Sequence, residues 1–183
     1  MGSHDTGKTT LGFTICAKLK TQHYNVDFVA EVARHIPVQL TLNEGTNFDA
    51  QYWILNEQIN EEILAKLRGA NMIVTDRTVV DNYAYAYRAA LPHIKQVSEV
   101  DLKVMEAKCL HWVKSYDFLF HVGIPDKKME VDGFRATDKQ FQLEIDECIH
   151  QIIKDWNLKV VYLEGNNDER IDIMLNTLFK KKF

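Results

Sequence analysis

Gly2-Ser3-His4-Asp5-Thr6-Gly7-Lys8-Thr9 follows G-x-x-x-x-G-K-[ST], a spacing that serves the cradling of a phosphate chain. Glycines at both ends let the backbone turn tightly, so that successive N–H groups converge on phosphate oxygens, and the helix that follows adds the positive end of its dipole. Lys8 then reaches the outer phosphates, and Thr9 offers a hydroxyl to Mg²⁺. Ser3, His4, Asp5, Thr6 and Thr10 complete the cradle. Asp5 is expected to point outward, because a carboxylate facing phosphates is repelled. A chance match is the competing reading of so short a pattern, and the surrounding elements have to decide between the two.

Three further charged groups follow short apolar runs. Glu31 ends "NVDFVAE", Asp76-Arg77 ends "NMIVTDR", and "DKKMEVDGFRATD" follows Ile124 and Pro125. Asp76 has the form of an acidic residue that holds Mg²⁺ opposite Thr9, with a helix cap or an ion pair to Arg77 as the alternative. Glu31 either takes the proton of an attacking hydroxyl or pairs with Arg34 one turn on. Arg135, beside Gly133, has the chemistry to stabilise a phosphoryl group in transfer through two-pronged hydrogen bonds, and a solvated loop is its plain alternative. Lys127 and Lys128 are weaker candidates for the same task.

The elements that must position these groups alternate. A helix follows the loop, and a strand around Val26–Ala30 leads to Glu31. A loop carries Pro37 and "TLNEGTNFD". A long helix spans Asp49 to Gly69, with Tyr52, Leu55, Ile59, Ile63 and Leu67 at helical spacing. Met72–Val74 reads as a strand buried on both faces. Helices over "VVDNYAYAYRAAL" and Ser98–Lys114, a strand in "YDFLFHVGI", a helix over Lys139–Trp156, a strand in "LKVVYLEG" and a last helix over "NDERIDIMLNTLFKKK" complete the chain. Apolar strands alternating with helices argue for an α/β fold with a parallel sheet covered on both faces, and ligands in such sheets bind at the carboxyl ends of the strands. Tyr83, Tyr85 and Tyr87 cannot share one helix face, and Trp53, Trp112 and Trp156 read as core filling.

At 183 residues, 46% hydrophobic, the chain suits a single domain over 1–183 with one sizeable core. A net charge of −4 gives no basic field for duplex binding. No apolar run reaches membrane-spanning length and no signal pattern precedes the motif, so a cytoplasmic protein without a membrane partner is expected. Cys16, Cys109 and Cys148 lack C-x-x-C spacing and read as reduced and mostly buried.

Taken together, "GSHDTGKTT", "EVAR" at 31–34, "TDRT" at 75–78 and "DGFR" at 132–135 resemble the signatures of the P-loop small-molecule kinases, the group of thymidylate kinase, the deoxynucleoside kinases and nicotinamide riboside kinase. The resemblance implies the three-layer P-loop NTPase fold. Lys8 and Thr9 would hold the phosphates and Mg²⁺ of ATP, Glu31 or Asp76 would serve the acceptor hydroxyl or the metal, and Arg77 would touch the acceptor. Arg135 would belong to a lid at about 125–138, and "EGNNDER", with Arg170, is a candidate adenine contact. The implied activity is ATP-dependent phosphoryl transfer to a nucleoside, a nucleotide or a nicotinamide riboside-like molecule. A kinase acting on a nucleotide within a nucleic acid and an ATP-hydrolysing, partner-binding switch are the rival readings. A small pocket lined by Glu31, Arg34, Asp76 and Arg77 would favour the small-molecule kinase.

One part of the pattern is missing. The fold places an apolar strand before the loop, at the sheet centre, and here only Met1 stands in its place. Either residues upstream of this sequence or another segment of it should fill the slot, because neighbouring strands would otherwise keep unpaired backbone groups.

Overall fold

The computed structural model describes residues 1–124 and 139–180; the expected lid, with Arg135, Gly133, Lys127 and Lys128, lies outside the described residues. The elements run α1 (Lys8–Thr21), β1 (Val26–Val29), α2 (Phe48–Leu67), β2 (Met72–Thr75), α3 (Val79–Ala89), α4 (Glu99–Trp112), β3 (Leu119–Val122), α5 (Lys139–Asp155), β4 (Val160–Leu163) and α6 (Asn167–Lys180). Short polar side chains start α2, α3 and α4. Asn47 accepts from the Ala50 N–H at 3.0 Å before α2, and Ser98 accepts from the Asp101 N–H at 3.1 Å before α4. Thr78 and Asp81 form a reciprocal capping box before α3.

All strand pairing among the described residues is parallel. β1 pairs with β2, Val26 beside Met72 through Val29 beside Thr75; β3 pairs with β4, Leu119 beside Val160 through Val122 beside Leu163. The pairs are separate two-stranded sheets, and β2 and β3 face each other across a cavity of about 440 Å³ lined also by Met1, Leu11 and Ile15. Met1 alone continues the pattern. Its amine donates to the Phe120 carbonyl at 2.7 Å and its carbonyl accepts from the Val122 N–H at 2.9 Å, so it stands beside His121 in parallel register. No other described segment enters the slot between β2 and β3.

That slot explains a departure from expectation. β2 is half-buried along its whole length instead of buried on both faces, because its side toward β3 opens into the cavity. Helices cover the two faces separately. Leu11, Ile15 and Leu19 of α1 and Ile171 and Met174 of α6 pack with Val26, Val122 and Leu163. On the other face α2, α3, α4 and α5 build the larger core around Leu55, Val80, Met105, Phe141 and Ile145. Three layers result, as the sequence implies.

The buried stripe of α2 also differs from expectation. Leu55 and Ile59 are buried, but Ile63 and Leu67 are 39% and 76% exposed. Gln51, Gln58 and Glu62 take buried positions instead, which a polar side chain can hold only with hydrogen-bonded partners. Those partners exist. Glu62 accepts from Gln58 Nε2 at 2.8 Å, from Trp112 Nε1 at 2.7 Å and from the Tyr116 hydroxyl at 2.9 Å. Burial pushes its carboxyl above the ordinary value, and these hydrogen bonds oppose the shift. Cys16, Cys109 and Cys148 are free and buried, as their spacing predicts.

Candidate phosphate-binding and acceptor site

The turn from Met1 to Lys8 is a closed loop at the end of β3. Gly2 has φ 145°, and a Cβ there would stand 2.5 Å from the Val122 carbonyl oxygen, so the chain passes β3 at a distance only glycine allows. Gly7, at φ 86°, is the residue before α1. Between them Ser3, His4, Asp5 and Thr6 are all buried. Asp5 therefore does not point into solvent as expected. α5 packs against the loop at His4, where Gln142 donates to the His4 carbonyl at 2.7 Å and Phe141 packs on the His4 ring at 5.6 Å.

Lys8 turns back over this loop. Its ammonium donates to the Ser3 carbonyl and to Thr6 Oγ1 at 3.3 Å, so the side chain closes over the loop. Burial pushes the Lys8 ammonium down to about 8; Arg77 adds to the shift, and Asp81, Asp76 and Glu31 oppose it. Thr9 Oγ1 donates to Asp76 Oδ2 at 2.6 Å, so the two residues predicted to share a metal are brought into contact. Thr10 is exposed on α1, and its carbonyl accepts from Thr14.

Glu31 and Arg77 meet beside a cavity that His4 also lines. Arg77 Nε donates to Glu31 Oε1 at 2.6 Å, and Arg34 Nε donates to Glu31 Oε2 at 3.2 Å. The Arg77 guanidinium also lies over the Tyr85 ring at 5.3 Å. Burial opposes its charge, yet Glu31, Tyr85, Asp81 and Asp76 hold its pKa well above the ordinary value. Its backbone carbonyl accepts from Gln58 Nε2 at 3.0 Å, so the buried α2 network fixes the segment that carries it.

A small cavity of about 40 Å³ opens here, lined by His4, Glu31, Gln51, Arg77, Asn82 and Tyr85 among others. Arg77 Nη1 and Asn82 Nδ2 are buried donors without a hydrogen-bond partner. Neither Arg34 nor Asp76 lines this cavity. Asp76 instead borders the larger one together with Lys8, so the expected four-residue pocket does not form: Glu31 and Arg77 line one cavity and Asp76 another.

Asp81 escaped the sequence reading. Fully buried, it accepts from the Gly2 N–H at 2.8 Å and from the Thr78 N–H and hydroxyl at 2.7 and 2.8 Å. Burial disfavours its charge, but the Met1 amine, Lys8, Arg77 and the Gly2 N–H hold the carboxyl below its ordinary value. The T-x-x-D spacing of Thr78 and Asp81 is its signal, legible as a helix cap. The tie to Gly2, 79 residues away in sequence, is not local.

"EGNNDER" builds the start of α6: Asn166 accepts from the Asp168 and Glu169 N–H groups at 3.0 and 3.1 Å. Arg170 follows, its Nε buried without a partner.

The molecule has known relatives in shape. A deoxyadenosine kinase from M. mycoides, solved with dCMP and dCDP, superposes with a TM-score of 0.64 at 12% identity, over 98% of this chain and 97% of that one. NadR protein in complex with NR gives 0.71 at 18% identity, over 98% of this chain and 49% of that one. NadR with NAD and AMP-PNP gives 0.66 at 18% identity, over 98% and 47%. This chain thus spans about half the length of NadR. No curated protein matches the sequence. The fold is that of the P-loop kinases, and a family model described as an AAA domain matches residues 1–170; the chain belongs to that AAA domain family.

Proposed function

We propose that the protein transfers the γ-phosphoryl group of ATP to a hydroxyl or phosphate of a small nucleoside-like molecule. The observation that carries this reading is the cavity of Glu31, Arg77 and Asn82 abutting the phosphate loop through His4, with two buried donors unused. Unpaired buried donors are costly unless a ligand satisfies them. The cavity has room for about three waters by volume, so an acceptor enters by displacing Leu42 and Asn43, which form part of its wall.

Thr9 and Asp76 present a hydroxyl and a carboxylate side by side, the hard oxygen donors that Mg²⁺ prefers. When bound there, Mg²⁺ would neutralise charge on the outer phosphates. The chain's own groups do the rest. Loop N–H groups and Lys8 hold the phosphates, and Arg77 and Asn82 orient the acceptor. Glu31 takes the proton as the acceptor oxygen bonds to phosphorus and the bond to the departing ADP breaks. Both Glu31 oxygens are engaged by guanidinium groups, and the side chain of Arg34 is 40% exposed against 10% for Arg77. Arg34 is thus the partner that can swing into solvent and free an oxygen for the hydroxyl. A screen of nucleosides, nucleotides and nicotinamide riboside for acceptor-dependent ADP release tests the proposal; ADP release that no acceptor stimulates would support the switch reading instead.

A further inference from the structure

A second cluster of metal-ligating side chains lies on β3 and α5. His121, on β3, is 2% exposed. Its Nε2 stands 3.4 Å from Asp146 Oδ1, and His150 Nδ1 stands 3.4 Å from Asp146 Oδ2. One ligand atom from each of the three lies within 4.8 Å of the others. Asp146 and His150 are four residues apart on α5, so both project from one helix face toward the strand. Tyr162 of β4 borders the group, its ring 5.3 Å from that of His121 and 6.1 Å from that of His150.

Hydrogen bonding satisfies only the outer part of the cluster, where His150 Nδ1 pairs with the Asp146 backbone carbonyl at 2.8 Å, a bond a metal at that nitrogen would replace. His121 Nε2 and Asp146 Oδ1 are both buried without a hydrogen-bond partner, although they approach each other. A buried imidazole nitrogen and a buried carboxylate oxygen facing a common point, with a second imidazole beside them, form the donor set of a borderline-soft dication. Mg²⁺ and Ca²⁺ are poor matches, because they take oxygen ligands. His150 is the outer ligand, its side chain 46% exposed, so a bound ion would keep a position open to water.

We propose that His121, Asp146 and His150 bind one zinc-class dication, which ties β3 to α5. The consequence reaches the phosphate loop, because one turn before Asp146 the same helix presents Gln142 and Phe141 to His4. Metal at the cluster would therefore brace the helix that covers the loop.

The test uses the whole chain, stripped with a chelator and then titrated with Co²⁺, followed by its visible absorption, and with Zn²⁺ in competition with a chromogenic chelator. One equivalent is expected to bind at micromolar concentration or below and to raise the melting temperature. Loss of a partner that only orients a ligand weakens metal sites by about 10- to 100-fold, so His150→Ala and Asp146→Asn should each weaken binding by at least about 100-fold and abolish the thermal shift. Neither change removes a wholly buried side chain, and circular dichroism confirms folding. His111→Ala, an exposed histidine on α4, should bind as the parent does. Absence of stoichiometric binding, or equal binding by the parent and His150→Ala, overturns the proposal.

Discussion

Thr9 Oγ1 and Asp76 Oδ2 lie 2.6 Å apart, although 67 residues separate them and they belong to different layers. Thr9 comes from the first turn of α1, and Asp76 directly follows β2. The contact sets Asp76 against the first turn of α1, while Glu31 is engaged by Arg77 and Arg34. Two carboxylates at strand ends thus occupy different chemical settings, which is the condition for their having different tasks.

Different failures follow for two isosteric changes. Asp76→Asn should raise the Mg²⁺ concentration needed for half-maximal activity by about 10- to 100-fold. Glu31→Gln should lower kcat by about 10²- to 10⁴-fold, the range for loss of a positioned base, with metal dependence nearly unchanged. Titrating Mg²⁺ against both variants decides the assignment, and an exchange of the two phenotypes would reverse the roles.

On the proposed function, Lys8 should make nucleotide binding pH-dependent. In the free protein its ammonium is held down to about 8, and bound phosphates raise it. Binding is then strongest while the free form is still protonated, and it weakens as pH rises through 8. The affinity for Mg·ATP should fall by up to about tenfold per pH unit above that point, with proton uptake measurable by calorimetry in buffers of different ionisation enthalpy. Lys8→Arg keeps the charge and should flatten the slope, whereas Lys8→Ala should reduce kcat/KM by about 10²- to 10³-fold. A slope that persists in Lys8→Arg would locate the titration elsewhere.

Local patterns carried most of what the sequence made legible. The loop, the alternation of strands and helices and the charges at strand ends are all written within a few residues of one another. Polar burial was illegible, because Gln58 and Glu62 look like solvent-facing residues of an amphipathic helix until Trp112 and Tyr116 reach them from a distant segment. Ile63 and Leu67 misled for the same reason in reverse. Asp81 and the His121–Asp146–His150 group share the difficulty: their members meet only after β3, α3 and α5 have packed.

Asp81 should prove a stability determinant that bears on the loop. Both its oxygens accept buried hydrogen bonds, Oδ1 from Gly2 and Oδ2 from Thr78. An amide in its place must set an N–H₂ group against a donor on one side. Asp81→Asn is expected to cost about 1–3 kcal/mol, read from urea unfolding, and to weaken ATP binding because the start of the loop loses its anchor. Unaltered unfolding would mean that the carboxylate contributes nothing net.

Two glycines with positive φ should respond differently to alanine, and the contrast separates loop geometry from general stability. At Gly69, φ is 82° and a Cβ would meet nothing within 4 Å, so Gly69→Ala should cost about 1 kcal/mol in left-handed strain and leave ATP binding alone. At Gly2 the new Cβ would stand 2.5 Å from the Val122 carbonyl oxygen, a backbone atom of β3, a strand that its pairing with β4 holds in place. The strain must then be relieved by moving the loop, whose N–H groups are useful only while they converge on phosphate. Since a displacement of about 1 Å in a positioning element costs on the order of 10²-fold, Gly2→Ala should raise the KM for ATP far more than it lowers the unfolding midpoint. Equal effects of the two substitutions on ATP binding would show that the close pass along β3 does not shape the phosphate site.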